Sequence, residues 1–143
     1  MPGPRETITT DLSAARRRLA AFLPAEGYKP DLLARIGRMS MSLKEPAQAG
    51  RYWLLSDATG ADVEAAVEAF VQSCQSVPER VVAELPRFKR DWEVEAFAAP
   101  ARKRVARYGL LPHLEARRPA GAKKTGRWRA LLERIFRRRP AAP

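Results

Sequence analysis

The stretch TGADVEAAVEAFVQSCQS, residues 59–76, decides how this chain reads. Val63, Ala66, Val67, Phe70, Val71 and Cys74 recur at i, i+3, i+4, i+7, i+8 and i+11, which is one face of an α-helix and fits no strand period. Thr59 and Asp62 form a T-x-x-D pattern suited to satisfying the free N–H groups of a first turn. The same stripe places Cys74 inside as a small core residue. A reactive thiol would need an electropositive partner, and the sequence offers none beside it.

Upstream, TTDLSAARRRLAAFLP predicts another helix, with Thr9 or Thr10 as cap and Asp11 in the first turn. Leu12, Ala15, Leu19 and Phe22 form its apolar face, and Arg16, Arg17 and Arg18 its solvated one. A second helix is expected from Pro30–Asp31, with Leu32, Ile36, Met39 and Leu43 inward. KEPAQAG then reads as a loop. Met39 and Met41 are core filler, because a metal site needs more ligands than two thioethers. RYWLLSD, residues 51–57, fits either a buried strand or a helical turn.

Downstream, Ser76 and Glu79 make a second capping pattern. Val81, Leu85, Phe88 and Trp92 keep helical phase through Pro86, which predicts a kinked helix. In DWEVEAF, however, Trp92, Val94 and Ala96 alternate with acids at strand period. A short β-hairpin pairing 51–57 with 91–97 is therefore the rival to an all-helical chain. A helix-turn-helix reading with VPERVVAEL as recognition helix is weaker, since Glu79 and Glu84 would face phosphates. The fold class expected is mainly α: a small helical bundle with a basic C-terminal extension ending in an amphipathic helix.

Charge divides the chain. The net charge is +11, yet residues 1–100 hold 13 Lys/Arg against 14 Asp/Glu, while residues 101–143 hold 14 Lys/Arg against Glu115 and Glu133 alone. This predicts a near-neutral helical domain over 1–100 and a basic helical segment over 101–118 closing at Gly109, where glycine permits a left-handed residue. A Pro/Gly-containing flexible linker over 119–126 and a basic amphipathic helix with tail over 127–143 complete the division. In GRWRALLERIFRRR, residues 126–139, Trp128, Leu131, Leu132, Ile135 and Phe136 fall on one narrow face. They are the candidate membrane- or partner-binding residues. The candidates for an anionic surface are Arg102, Lys103, Arg104, Arg107, Lys123, Lys124, Arg127, Arg129, Arg134, Arg137, Arg138 and Arg139.

Magnitudes rank what such a segment does. Ordering it costs roughly 1–2 kcal/mol per residue, and burying five large apolar side chains returns at most about 1.5–3 kcal/mol each. The near-cancellation leaves weak attachment, which basic residues beside an anionic leaflet strengthen by on the order of 1 kcal/mol apiece. Docking on the protein's own core or in a partner's groove competes with this reading, as does phosphate contact with base stacking by Tyr108 or Trp128.

Several classes find no support. Cys74 is the only cysteine and His113 the only histidine, so neither a disulfide framework nor a zinc site is expected. The glycines are scattered and form no phosphate-cradling loop. No apolar run approaches the ~18 residues of a membrane span, and MPGPRETITTDLS lacks a secretory or transit pattern. The expectation is a cytoplasmic, non-enzymatic adaptor or regulatory protein without cofactor. Its helical domain binds another protein, and its basic C-terminus associates reversibly with an anionic membrane surface, such as the inner face of a membrane. The alternative is a small nucleic-acid-binding protein using the same extension.

Overall fold

The computed structural model describes residues 4–121 together with residues 134 and 135. Within 4–121 the chain forms seven α-helices: α1 (Pro4–Phe22), α2 (Pro30–Ser42), α3 (Pro46–Trp53), α4 (Ala61–Ser73), α5 (Pro78–Glu84), α6 (Ala99–Arg107) and α7 (Leu111–Glu115). Leu23–Ala25 and Val94–Ala96 are single 3-10 turns, and no strand occurs among the described residues. The β-hairpin is thus absent: residues 51–53 end α3, and 94–96 lie in a 3-10 turn. Tyr52, Trp53, Leu54 and Leu55 are buried in succession, as suits a helix end enclosed on several sides rather than a strand with two alternating faces.

Proline, and not a polar cap, starts most of these helices. It occupies the first position of α2, α3 and α5 and the second of α6 and α7, and no side chain caps any helix from α2 to α7. Its fixed φ suits the first turn, where its missing N–H would lack a helical partner anyway. Both expected capping boxes fail accordingly. Gly60, not Thr59, precedes α4. Val77 precedes α5, while Ser76 is held at φ 55° in the turn closing α4. α1 begins well before Thr9 and Thr10, so neither caps it.

Three helices end in the same turn. After α2, α4 and α6 the chain places Lys44 (φ 59°), Gln75 (φ 58°) and Gly109 (φ 67°) in the left-handed region. The N–H groups of Glu45, Ser76 and Leu110 then reach back to the carbonyls of Ser40, Val71 and Val105, at 3.0, 3.0 and 2.9 Å. These are Schellman closures, and only Gly109 occupies one without a steric cost.

The core is built around α3, which packs against both α2 and α4. The segment KEPAQAG was expected to be a loop, but Pro46 opens α3 within it. Two glycines permit the approach. A methyl group on Gly50 would sit 2.5 Å from the Ala66 carbonyl carbon and 2.8 Å from the Val67 nitrogen on α4. One on Gly37 would meet the Trp53 indole, 2.7 Å from Cε2. That indole also donates from Nε1 to the Ala34 carbonyl at 3.0 Å, so α2 receives both its face and its polar edge.

The α4 stripe is buried as its period requires: Val63, Ala66, Val67, Phe70, Val71 and Cys74 are all in the core. In α2 the inward residues are Leu33, Ile36, Gly37 and Ser40, with Leu32, Met39 and Leu43 only half-buried, so its face is turned relative to the expected stripe. Phe22 is 58 % exposed, and Leu23 is buried in its place because the 3-10 turn redirects the chain. Arg17 and Arg18 are exposed, but Arg16 is not a solvated residue: it pairs with Glu45 and donates to the Ser40 hydroxyl at 3.3 Å.

The expected kinked helix through Pro86 does not form. α5 stops at Glu84 and Leu85 is extended (φ −63°, ψ 146°), because a residue preceding proline is pushed out of the helical region. The irregular stretch that follows still delivers Phe88, Val94 and Phe97 to the core. Tyr28 holds it there. Its ring packs 4.8 Å from Phe97 and 5.6 Å from Phe88, and its hydroxyl accepts from the Ala98 N–H (3.1 Å) and donates to the Leu55 carbonyl (2.5 Å). Burial raises the Tyr28 pKa, the Ala98 bond opposing it.

Candidate functional site

The basic C-terminal side begins at α6, and the structure sorts its cations into two kinds. Arg104 is 3 % exposed. Its Nε donates to Glu64 at 3.0 Å, Nη1 to the carbonyls of Trp53 (2.8 Å) and Ser56 (3.2 Å), and Nη2 to Glu64 and the Ala58 carbonyl. The guanidinium thus closes the carboxyl end of α3 and ties it to the first turn of α4. Its five N–H groups form a planar fork suited to several acceptors at once. Arg104 must therefore be withdrawn from the residues proposed to meet an anionic surface: it is a strut of the core.

Its neighbours remain at the surface. Lys103 and Arg107 are exposed and Arg102 is half-buried. Arg107 lies over the Tyr108 ring at 5.4 Å and 3.9 Å from Glu64, too exposed for that pair to hold it tightly. Burial raises the Tyr108 pKa, with the Arg107 charge opposing.

The divide at residue 100 is one of charge and not of packing. Ala101, Val105, Leu110, Leu111 and Leu114 belong to the same core as the preceding helices. Past α7, Arg117 turns inward, donating to Asp91 at 3.0 Å and to the Val82 carbonyl, with both members of the ion pair buried. Desolvation dominates at this pair. It raises the Asp91 pKa, against the opposing pull of Arg117, and lowers that of Arg117. Farther on, Arg134 is exposed and helical, and Ile135 is half-buried against the core. Lys123, Lys124, Arg127, Trp128, Arg129, Leu131, Leu132, Phe136, Arg137, Arg138 and Arg139 lie outside the described residues, as does most of the linker expected over 119–126.

Two clefts of about 480 and 330 Å³ adjoin at Arg51 and Ala83, the first between α3, α4 and α5, the second between α3, α5 and the end of α1 with the turn that follows it. Sequence reading missed them, because their walls come from segments far apart in the chain and share no motif. Arg80 and Gln75 line the first, Arg87 and Tyr52 the second. Cys74 lies buried at the first. Among the described residues no group of three His, Cys, Asp or Glu side chains is placed to hold a metal ion.

Residues 6–107 match a family described as a family of unknown function (DUF6584). The chain belongs to this family. The match covers α2 to α6, both clefts and Arg104, and stops at the last residue of α6. Residues 108–143, which follow it, hold 10 Lys/Arg against two acids. No curated protein and no solved structure matches the chain.

Proposed function

We propose that this member of the DUF6584 family is a non-enzymatic, cytoplasmic adaptor whose helical domain binds another protein and whose basic C-terminus attaches reversibly to an anionic membrane surface. One observation carries the reading. The part matching the family is close to neutral, at +2 over residues 6–107, whereas residues 108–143 carry +8. Charge concentrated in this way serves electrostatic attachment to an anionic surface. No helix among the described residues is long and apolar enough to cross a membrane, so attachment would be at the surface. Ile135 rests against the core, so lipid would compete with the protein's own interior for that side chain.

Co-sedimentation with vesicles tests this. The full chain is expected to pellet with phosphatidylserine-containing vesicles and not with phosphatidylcholine alone. Leu132→Glu with Phe136→Glu should abolish binding, and Arg137, Arg138 and Arg139 to Gln should weaken it about fivefold per charge removed, from on the order of 1 kcal/mol each. Equal binding to neutral and anionic vesicles would overturn the electrostatic part. Retention of an RNA or DNA oligonucleotide, steeply salt-dependent and indifferent to the two glutamates, would favour nucleic acid as the anionic partner instead.

A further inference from the structure

We propose that the two adjoining clefts form one groove that takes an acidic, partly apolar peptide segment of a partner protein. This rests on the reading of the helical domain as a protein-binding module and names the chemistry of what it binds. The groove is lined by three arginines, Arg51, Arg80 and Arg87, against a single carboxylate, Glu84. None of the three forms an ion pair among the described residues, although Arg16, Arg90, Arg104, Arg107 and Arg117 all do.

Two of the three arginines, Arg51 and Arg80, are also held in place. Arg51 stands where the clefts meet, its Nε donating to the Glu84 carbonyl and its guanidinium 5.5 Å from the Tyr52 ring centre. That anchoring leaves the two terminal amino groups, the edge that grips a carboxylate with paired N–H bonds, facing away from the backbone contact. Arg80 is tied through Nη1 to the Gln75 amide oxygen, and Gln75 is set on the wall by its left-handed backbone. A side chain already ordered loses less entropy when a ligand arrives.

Between these cations the lining is mixed: Gln48, Ser73 and Gln75 add uncharged polar groups to the first cleft, and apolar side chains form the rest. Phe70 and Cys74 are buried in the first cleft, and Leu23, Tyr52, Leu85 and Pro86 in the second. Arginine clusters recognise acidic motifs, and the apolar part of this lining suits a chain that carries some apolar side chains among its acids. The C-terminal extension of the same chain, cationic itself, is repelled by this lining and is not the occupant.

The test is selection of peptides from a random phage-displayed library on the full-length protein, followed by anisotropy titration of the enriched peptides. Enriched sequences should carry Asp or Glu with apolar residues between. Arg51→Gln and Arg87→Gln should each weaken them about tenfold, the loss of one charge-assisted contact. Gln48→Glu, an exposed substitution that adds a negative charge and removes no anchoring bond, should weaken them as well and guards against misfolding of the arginine variants. Replacing Arg137, Arg138 and Arg139 should leave peptide affinity unchanged. Enriched peptides without acids, acidic peptides that respond to the tail and not to the groove, or inorganic phosphate displacing them at low concentration would each overturn the proposal. Arg51→Gln and Arg87→Gln should still bind anionic vesicles, so failure of the groove and failure of membrane attachment are separate results.

Discussion

Gly50→Ala is the sharpest probe of the packing that positions everything else. In an exposed helix the change would stabilise by about 1 kcal/mol, since alanine is the better helix former. Here the added methyl would stand 2.5 Å from the Ala66 carbonyl carbon, and the obstacle is the backbone of α4, which has no rotamer to change. Relief requires moving α3 away from α4 by roughly an ångström, and a gap of that order forfeits about a quarter to a half of each affected van der Waals contact. α3 and α4 share the most extensive helix contact in the fold. Overpacking costs about 1–3 kcal/mol, and a clash with backbone belongs in the upper part of that range, about 2–3 kcal/mol. With the propensity gain of about 1 kcal/mol subtracted, the variant should be destabilised by about 1–2 kcal/mol. The midpoint of thermal unfolding should fall by roughly 3–8 °C, read by far-ultraviolet circular dichroism and checked by urea titration. Gly27→Ala is the control, since a methyl there meets nothing within 4 Å, and it should be neutral or stabilising by up to about 1 kcal/mol. A Gly50→Ala protein as stable as the parent, with Gly27→Ala behaving alike, would refute the close approach of α3 and α4.

Other outcomes follow from the same structure. Arg104→Ala should cost about 3 kcal/mol or more in urea unfolding, because it strands the Trp53, Ser56 and Ala58 carbonyls, whereas Lys103→Ala should change stability by less than about 0.5 kcal/mol. At the buried ion pair, Asp91→Leu should cost about 3 kcal/mol by leaving Arg117 without its partner, while Asp91→Asn, which keeps an acceptor, should cost less than about 1 kcal/mol at neutral pH. Burial raises the folded Asp91 pKa above the unfolded value, so the native state binds this proton more tightly. Stability measured relative to Asp91→Asn should therefore rise as pH falls from above the folded value towards about 3.8, and flatten below it. A gap that shrinks on acidification would contradict the dominance of desolvation. Lys44→Gly should stabilise by up to about 1 kcal/mol, because glycine takes the left-handed closing position without strain; Gly109→Ala should destabilise by a similar amount for the converse reason.

What could be read in advance was what lies within one helical window. The α4 stripe from Val63 to Cys74, the start of α2 at Pro30 and the closing turn at Gly109 are all as their residues imply. The failures share a cause. Thr59–Asp62 and Ser76–Glu79 have the letters of a capping box, but Gly60 and Val77 stand at the cap positions, Ser76 is taken up in the turn closing α4, and both helices start without a polar cap. The apolar phase of Val81, Leu85 and Phe88 survives Pro86 because all three residues do reach the core, two of them from a segment that is not α-helical. Periodicity reports burial, and helix was inferred from it.

The candidate sites divide the same way. Charge segregation along the chain is a property of composition, so the sequence alone determined that one end is cationic and the rest nearly neutral. Only the tertiary structure decided which cations face solvent. Arg104 and Lys103 are adjacent and alike in sequence, yet one is satisfied by carbonyls of a turn about fifty residues away and the other meets water. Main-chain carbonyls carry no residue-type signature, and the clefts lined by Arg51, Arg80 and Arg87 exist only where segments far apart in the chain converge. The local chain fixes period, punctuation and net charge; burial and pairing depend on which distant backbone arrives alongside.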